Sequence, residues 1–346
     1  MTFKQKALSL LLITVVTITG FLAYALCTPA SVSGKPIVVT IKRGDSVNAI
    51  AKHMQKKGVI RNASAFYYYI RFKKAGPHLK AGSFLLSPSA SIVQLTRKLQ
   101  TENGVANLIR ITIPEGSNIW DIERILNQNG LPITGDFDTF AHTEAKAYFK
   151  NDFSFLADIP VTTIEGYLFP DTYYFSKEST NITIVKTMLN QFSKRMLPIW
   201  DAAPTSNISP KTRFNFHKAL TIASLIEKEA RVRTEMPTIS SVFYNRLKKR
   251  MPLASDPTIV YALGKSYKKR VLYKDLKIDS PYNTYRRSGF MPSPIASLGT
   301  AAFEAALAPI KTNYLFFVAH KNGSHVFTPT YKDHLRVQNL MKKGIY

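Results

Sequence analysis

The sequence predicts an α+β protein that an N-terminal transmembrane helix attaches to a membrane. An uncharged apolar run occupies residues 7–27, and a strand–turn–helix pattern occurs twice further along with an offset of 72 residues. Beyond this repeat, predicted strands and helices are grouped rather than alternating regularly. Regular alternation would predict a doubly wound parallel sheet, so the grouping favours a mixed α+β domain over residues 102–346.

The N-terminal run predicts a single-pass anchor in the cytoplasmic (inner) membrane. Residues 7–27 carry no charge, and at about 1.5 Å per residue a helix of this length matches a hydrocarbon core of roughly 30 Å. Lys4 and Lys6 precede it, which places residues 1–6 in the cytosol and the rest of the chain outside, in the periplasm or beyond the membrane. The alternative is a cleaved signal peptide, but the run is longer than the usual apolar segment of such peptides.

The composition is strongly basic, with 47 Lys and Arg against 22 Asp and Glu and a formal net charge of +25. A charge of this size attracts polyanions, namely nucleic acid, anionic lipid or an anionic wall polymer. A membrane-tethered nucleic-acid-binding protein is therefore one hypothesis, but no nucleic-acid-binding motif is found and export argues against it. Cys27 is the only cysteine, so the exported part forms no internal disulfide.

Residues 28–35 have the composition of a linker, and residues 38–101 predict a small separate module. Its predicted elements are a strand at 38–41, a helix from Val47 that ends at Gly58, a helix at 63–74, a strand at 81–86 and a helix at 91–99. This order resembles LysM modules, and the resemblance implies affinity for the GlcNAc-containing backbone of glycan polymers. A spacer or lid without sugar affinity is the equal alternative, because a fold does not by itself confer function.

A second strand–turn–helix begins the larger domain. Val39, Ile41 and Gly44 recur as Ile111, Ile113 and Gly116, and the same offset relates the helical positions that follow. Further along, residues 166–173 predict a loop or short strand, and residues 182–196 predict a helix. Residues 314–319 and 325–328 predict a hairpin, which a helix at 331–341 follows.

The helix predicted at residues 217–231 carries the candidate chemistry. It is apolar around most of its circumference up to Ile226, which indicates burial, and Glu227 and Glu229 follow directly. A carboxyl among apolar neighbours loses hydration, so its pKa rises and it can act as a general acid. The alternative is a solvated glutamate paired with a neighbouring cation such as Lys228. Both carboxylates lie over apolar residues, so periodicity does not choose between them.

The segment 222–229 resembles the signature of the YceG-like family of endolytic murein transglycosylases. Further segments that match this family, in order, are 165–173, 242–247, 251–261, 280–285, 289–295 and 325–327. Many separate motifs in one order are far more specific than a single short pattern. The resemblance covers nearly the whole chain, including the predicted anchor.

The resemblance implies that Glu227 is the catalytic acid/base, since it is the first Glu of the Glu227-Lys228-Glu229 segment. The implied reaction is non-hydrolytic cleavage of the MurNAc-β-1,4-GlcNAc bond, which leaves 1,6-anhydroMurNAc ends and limits strand length during wall synthesis. The nucleophile would be the sugar's own C6 hydroxyl, so one carboxyl suffices. The candidate substrate-binding residues are the polar and aromatic members of matched motifs, each of which could instead have a purely structural role: Glu165, Tyr167, Asp256, Asn283 and Tyr285.

No metal site and no cofactor are predicted. The seven histidines are scattered without His-Glu-x-x-His spacing, there is no cysteine pair, and no Gly-rich phosphate loop occurs. The expected partners are peptidoglycan glycan strands, the membrane and proteins of wall synthesis, without nucleic acid. The main alternative to an enzyme is a non-catalytic, membrane-anchored wall-binding scaffold in which Glu227 only caps a helix.

Overall fold

The computed structural model describes residues 24, 26–102, 104, 108–131, 133, 136–205, 210–264 and 271–344. These residues belong to two compact units, which divide between Ile109 and Arg110. The predicted anchor at 7–27 lies almost entirely outside the described residues. Among the residues that are described, no helix is long and apolar enough to cross a membrane.

The first unit has the predicted order strand–helix–helix–strand followed by a further helix. Strands β1 and β2 pair antiparallel, and the two helices between them share their apolar core. Each long helix starts at a residue whose side chain accepts a backbone N–H of the first turn, as sequence capping rules require. The elements are β1 Ile37–Ile41, α1 Val47–Lys56, α2 Ala63–Phe72, β2 Gly82–Leu86 and α3 Ile92–Thr101.

The predicted linker is held against this unit rather than being free. Leu26 packs on the apolar core, the Ser31 backbone N–H donates to the Pro88 carbonyl at 3.0 Å, and Arg61 Nε donates to the Ala30 carbonyl at 3.4 Å. The composition of residues 28–35 is that of a linker, but composition cannot reveal these contacts with residues that are distant in sequence.

The predicted repeat is confirmed in local structure. Strand β3 (Ile109–Thr112) and helix α4 (Ile119–Gln128) repeat the arrangement of β1 and α1, and the turn glycines Gly44 and Gly116 have φ of 90° and 78°. Residues other than glycine rarely adopt this left-handed backbone conformation, which explains glycine at both turns. Strand β3 pairs with β4 (Thr172–Phe175), so the predicted loop or short strand at 166–173 ends in a real strand.

The second unit is mainly helical and is built around helix α6. Residues 219–226 of α6 are all buried, and the helix packs against α7, α8 and α9. Three two-stranded sheets, β1–β2, β3–β4 and β5–β6, complete the described structure, so the α+β prediction is confirmed. The remaining elements are α5 Asn181–Ala202, α6 Phe216–Glu229, α7 Met236–Lys248, α8 Asp256–Leu263, α9 Thr300–Leu307, β5 Phe316–Ala319, β6 His325–Thr328 and α10 Tyr331–Lys342, with short helical segments at Phe137–Thr139, Phe140–Glu144, Ala145–Phe149 and Pro210–Arg213.

Candidate active site

The two candidate carboxylates lie at the C-terminal end of α6 on nearly opposite sides. Successive helical residues are about 100° apart, so Glu227 and Glu229 point roughly 200° apart around the axis. The continuous burial of α6 ends at Ile226, and both glutamates are partly buried.

Glu227 faces the start of helix α9. Its Oε2 accepts the Gly299 N–H at 3.0 Å, and Gly299 is the N-cap residue of α9, which has no capping side chain of its own. Loss of hydration raises the pKa of Glu227, and the nearby Glu115 raises it further. Glu115 in turn forms an ion pair with Arg233 at 2.9 Å. The geometry at Glu227 is that of a carboxylate that caps a helix N-terminus.

Glu229 lines a cleft of about 850 Å³. The Ser255 hydroxyl donates to its Oε1 at 2.5 Å. Burial raises the pKa of Glu229, the Ser255 hydrogen bond lowers it, and the negative charge of Asp256 raises it again. A carboxyl with a raised pKa that reaches an open cleft is equipped for general acid catalysis.

The opposite walls of this cleft come from segments distant in sequence. His325 Nδ1 lies 2.8 Å from Glu235 Oε2, which orients the imidazole ring at the cleft wall. Arg246 Nε donates to the Leu315 carbonyl at 2.6 Å and its guanidinium lies 5.1 Å from the centre of the Phe316 ring. These contacts fix the β5–β6 hairpin against α7. The lining includes Glu229, Arg246, Leu253, Asp256, Leu272, Tyr273, Tyr285, Phe316, Phe317, His325, Tyr331 and His334.

Two of the predicted substrate-binding residues line the same cleft as Glu229. Asp256, at the start of α8, is exposed, and its Oδ1 accepts the Tyr285 hydroxyl at 2.5 Å. Burial raises the pKa of Tyr285, so the phenol stays protonated and remains a hydrogen-bond donor. Hydroxyl, carboxylate and aromatic groups in one cleft are suited to binding a polar ligand such as a sugar.

The other three predicted substrate-binding residues have no exposed surface in this structure. Glu165 accepts the N–H groups of Ile119 and Gly166, Tyr167 hydrogen-bonds His217 Nδ1 at 2.9 Å, and Asn283 Nδ2 donates to two carbonyls of its own loop. Burial raises the pKa of Glu165 to about 8. Their partners are those of residues that hold the fold around the cleft, and direct sugar contact through them stays a prediction that this burial does not favour.

Among the described residues, Glu123, Asp136 and Asp138 have carboxylate oxygens within 4.8 Å of one another. Glu123 accepts the Asp138 N–H and Asp136 accepts the Thr139 N–H, so two of the three stabilise the local backbone. Exposed acidic groups of this kind are common without an ion, and we assign no metal here.

Sequence reasoning missed Ser255, Glu235 and His325 as residues that surround Glu229 and its cleft. Ser255 lies 26 residues from Glu229, and Glu235 lies 90 residues from His325. His325 was part of a matched motif, but nothing local indicated a pairing across that distance. Glu115 was likewise missed, although its position one residue before the turn glycine of the second repeat marks it in the sequence.

A buried acid that opens onto a cleft with hydroxyl, imidazole and aromatic groups is the type of site that acid–base enzymes of carbohydrate chemistry use. Residues 39–339 match the model of the YceG-like family, and the chain belongs to this family.

Known relatives agree with this membership. The chain is 40% identical over 306 residues to an endolytic murein transglycosylase of Bacillus subtilis, which covers 86% of this chain and 82% of the relative. It is 32% identical to the protein of that name from Streptococcus pneumoniae, where it spans only 58% of the relative's length. The crystal structure of a YceG-like protein from Listeria monocytogenes is similar with a TM-score of 0.59 and 34% identity, covering 88% of this chain and all of that one.

Proposed function

We propose that this protein is an endolytic peptidoglycan lytic transglycosylase. Its family membership and relatives that carry this activity in their names support the proposal. The C-terminal end of α6 supplies two carboxyls of raised pKa, Glu227 and Glu229, beside a cleft that a polar polymer can enter. The substrate is the MurNAc-β-1,4-GlcNAc bond of a glycan strand, and the product end is 1,6-anhydroMurNAc.

We assign the acid/base role to Glu227, the first carboxylate of the segment 227–229 that resembles the family signature. Loss of hydration and the nearby Glu115 raise its pKa, which the acid step needs, and its side chain is only partly buried. Glu229 is the alternative, because its pKa is also raised and it lines the cleft that contains Asp256. The two assignments make opposite predictions for single variants.

In the proposed reaction, protonated Glu227 first donates its proton to the departing O4 of GlcNAc as the C1–O4 bond breaks. The resulting carboxylate then takes the proton of the MurNAc C6 hydroxyl, whose oxygen bonds to C1 and closes the anhydro ring. Glu227 ends the cycle protonated, and water is not consumed. The raised pKa of Glu227 is the property that the first step needs.

Asp256 is a further carboxylate and lies in the cleft that Glu229 also lines. A hydrolytic glycosidase would use a pair of carboxylates. Lytic cleavage does not require Asp256 to transfer a proton. Hydrolysis would require Asp256 to activate a water molecule or to form a glycosyl ester. An Asp256→Asn variant therefore separates the two chemistries. We expect reduced but measurable lytic activity from this variant, and complete loss would favour hydrolysis.

The proposed placement follows the predicted domains. Residues 7–27 anchor the chain in the cytoplasmic membrane, residues 38–101 form a LysM-like module, and residues 102–346 form the catalytic domain outside the cytosol. Proteins of wall synthesis are candidate partners. If the module binds glycan, deleting residues 38–101 lowers affinity for insoluble peptidoglycan more than turnover of a short soluble strand, while unchanged affinity would identify a spacer.

The decisive experiment is a digest of purified peptidoglycan by the detergent-solubilised full chain, followed by mass spectrometry. We expect 1,6-anhydroMurNAc ends, which are lighter by one water than hydrolysed ends, on internal fragments. Ordinary reducing ends would show hydrolysis, and an absence of cleavage by a folded protein would favour the wall-binding scaffold.

A further inference from the structure

Helix α2 of the first unit presents two large aromatic side chains to solvent. Phe72 is 83% exposed and Tyr68 is 68% exposed, while Phe66 and Ile70 of the same helix are buried in the core. Positions 68 and 72 are four residues apart, so both side chains lie on one face of the helix. Single exposed apolar residues are common on proteins, but an aromatic pair on one exposed helical face indicates a binding surface.

Cations surround this aromatic pair. Arg71, Lys73 and Lys74 are all exposed and immediately flank Phe72. The unit as a whole is basic, since residues 35–102 contain thirteen Lys or Arg and only two acidic residues, Asp45 and Glu102. Aromatic groups beside Lys and Arg are the composition that binds the interfacial region of an anionic bilayer.

The path of the chain places this unit next to the membrane. Leu26 belongs to the end of the predicted span and packs against the core of the unit, and residues 30 and 31 are hydrogen-bonded to Arg61 and Pro88. Arg61 directly precedes Asn62, the N-cap of α2. There is consequently no free linker between the end of the apolar run and the unit that carries α2.

We propose that the α2 face formed by Tyr68, Arg71, Phe72, Lys73 and Lys74 docks on the anionic phospholipid surface of the membrane that holds the anchor. Phe72 and Tyr68 enter the headgroup layer, and the three cations contact lipid phosphates. This docking rests on the proposed anchor but not on the proposed catalysis. This docking would hold the first unit at the bilayer surface, so that the unit does not move independently of the membrane.

The test uses the full chain in vesicles of phosphatidylcholine with or without phosphatidylglycerol. In a Cys27→Ser background, a fluorophore is attached through Phe72→Cys or, as control, through Val93→Cys, another exposed apolar position of the unit. Quenching by doxyl lipids reports depth. We expect the label at position 72 to lie roughly 5–10 Å into the boundary between headgroups and acyl chains of anionic vesicles. The label at 93 should stay in water.

Charge dependence is tested with matched pairs. Lys73→Glu/Lys74→Glu should release the position-72 label, whereas Lys56→Glu/Lys57→Glu, which changes the charge of the same unit equally at the end of α1, should not. Salt should also release it, because 1 M salt shortens the screening length to about 3 Å.

Three results would overturn the docking alone. The first is a label at position 72 that stays as water-accessible as the label at 93 in anchored protein. The second is equal release by both double variants. The third is protection of position 72 from aqueous quencher only when peptidoglycan is added, which would assign the face to the wall. A chain that fails to float with vesicles in high salt would refute the anchor and the docking together, while cleavage activity would be unaffected.

Discussion

Replacing Glu227 by Gln tests the proposed mechanism most directly. Glutamine keeps the shape of the side chain and can still accept the Gly299 N–H, but it has no proton for the leaving O4. A positioned general acid contributes about 10²–10⁴-fold in rate, which corresponds to roughly 3–5 kcal/mol of activation free energy. We expect a loss of at least this size, because the same group also acts as base in the second step.

Glu229→Gln is the matched control. Glutamine retains an oxygen that can accept the Ser255 hydroxyl, so this hydrogen bond weakens without being lost. Hydrogen bonds to charged groups stabilise by about 1 kcal/mol more than neutral ones, and removal of a partly buried charge offsets part of that. We therefore expect the free energy of unfolding to fall by about 1 kcal/mol or less. Turnover should stay close to that of the wild type.

The assay is the rate of release of anhydro-ended fragments from purified glycan strands, measured for both variants beside their denaturant unfolding curves. Folded, inactive Glu227→Gln together with active Glu229→Gln supports the assignment. The reverse pattern would refute it and give the acid/base role to Glu229. Loss of activity in both folded variants would show that Glu229 positions the acid.

Three further predictions follow from the same structure. Ser255→Ala removes a hydrogen bond that lowers the pKa of Glu229 but does not contact Glu227, so the high-pH limb of the rate profile should stay in place; a limb that moves to higher pH would identify Glu229 as the titrating acid. The free energy of unfolding should fall as pH rises from about 4.5 towards 8, by up to about 1.4 kcal/mol per pH unit, because folded Glu165 holds a proton that the unfolded chain releases. Glu165→Gln should reduce that slope, to which Glu227 and Glu229 also contribute through their raised pKa values, and an unchanged slope in denaturant titrations would disprove this cause. Gly166→Ala places a Cβ 2.4 Å from Pro294 Cβ at φ of +83° and should cost about 2–5 kcal/mol in thermal or chemical unfolding. Gly130→Ala, at φ of +74° with no atom within 4 Å, should cost only about 1–2 kcal/mol, and equal costs would show that the contact with Pro294 is relieved easily.

Most secondary structure follows from short-range signals in the chain. The helix predicted at 217–231 is found at Phe216–Glu229, and the predicted hairpin strands overlap β5 and β6. Apolar periodicity, capping side chains and turn glycines act within a few residues, so they can be read without knowing the fold. Helix α5 differs because it continues to Ala202 through Pro198, whereas the apolar pattern predicted an end near residue 196.

The site depends on long-range packing that these signals do not contain. Sequence patterns placed Glu227 and Glu229 together at the end of a buried helix, and both lie over apolar residues. What each of them contacts is decided by the segments that pack on each side of α6. The N-terminus of α9 at Gly299 meets Glu227, whereas Ser255 and the wall that contains His325 meet Glu229.

The same limit applies to Glu165, Tyr167 and Asn283, whose residue types suggested sugar binding and whose burial was invisible in the sequence. Local free energies of helix and turn formation depend on neighbouring residues and are encoded directly in the chain. Burial and pKa depend on the atoms that tertiary packing brings close from distant segments, so only the folded structure determines them.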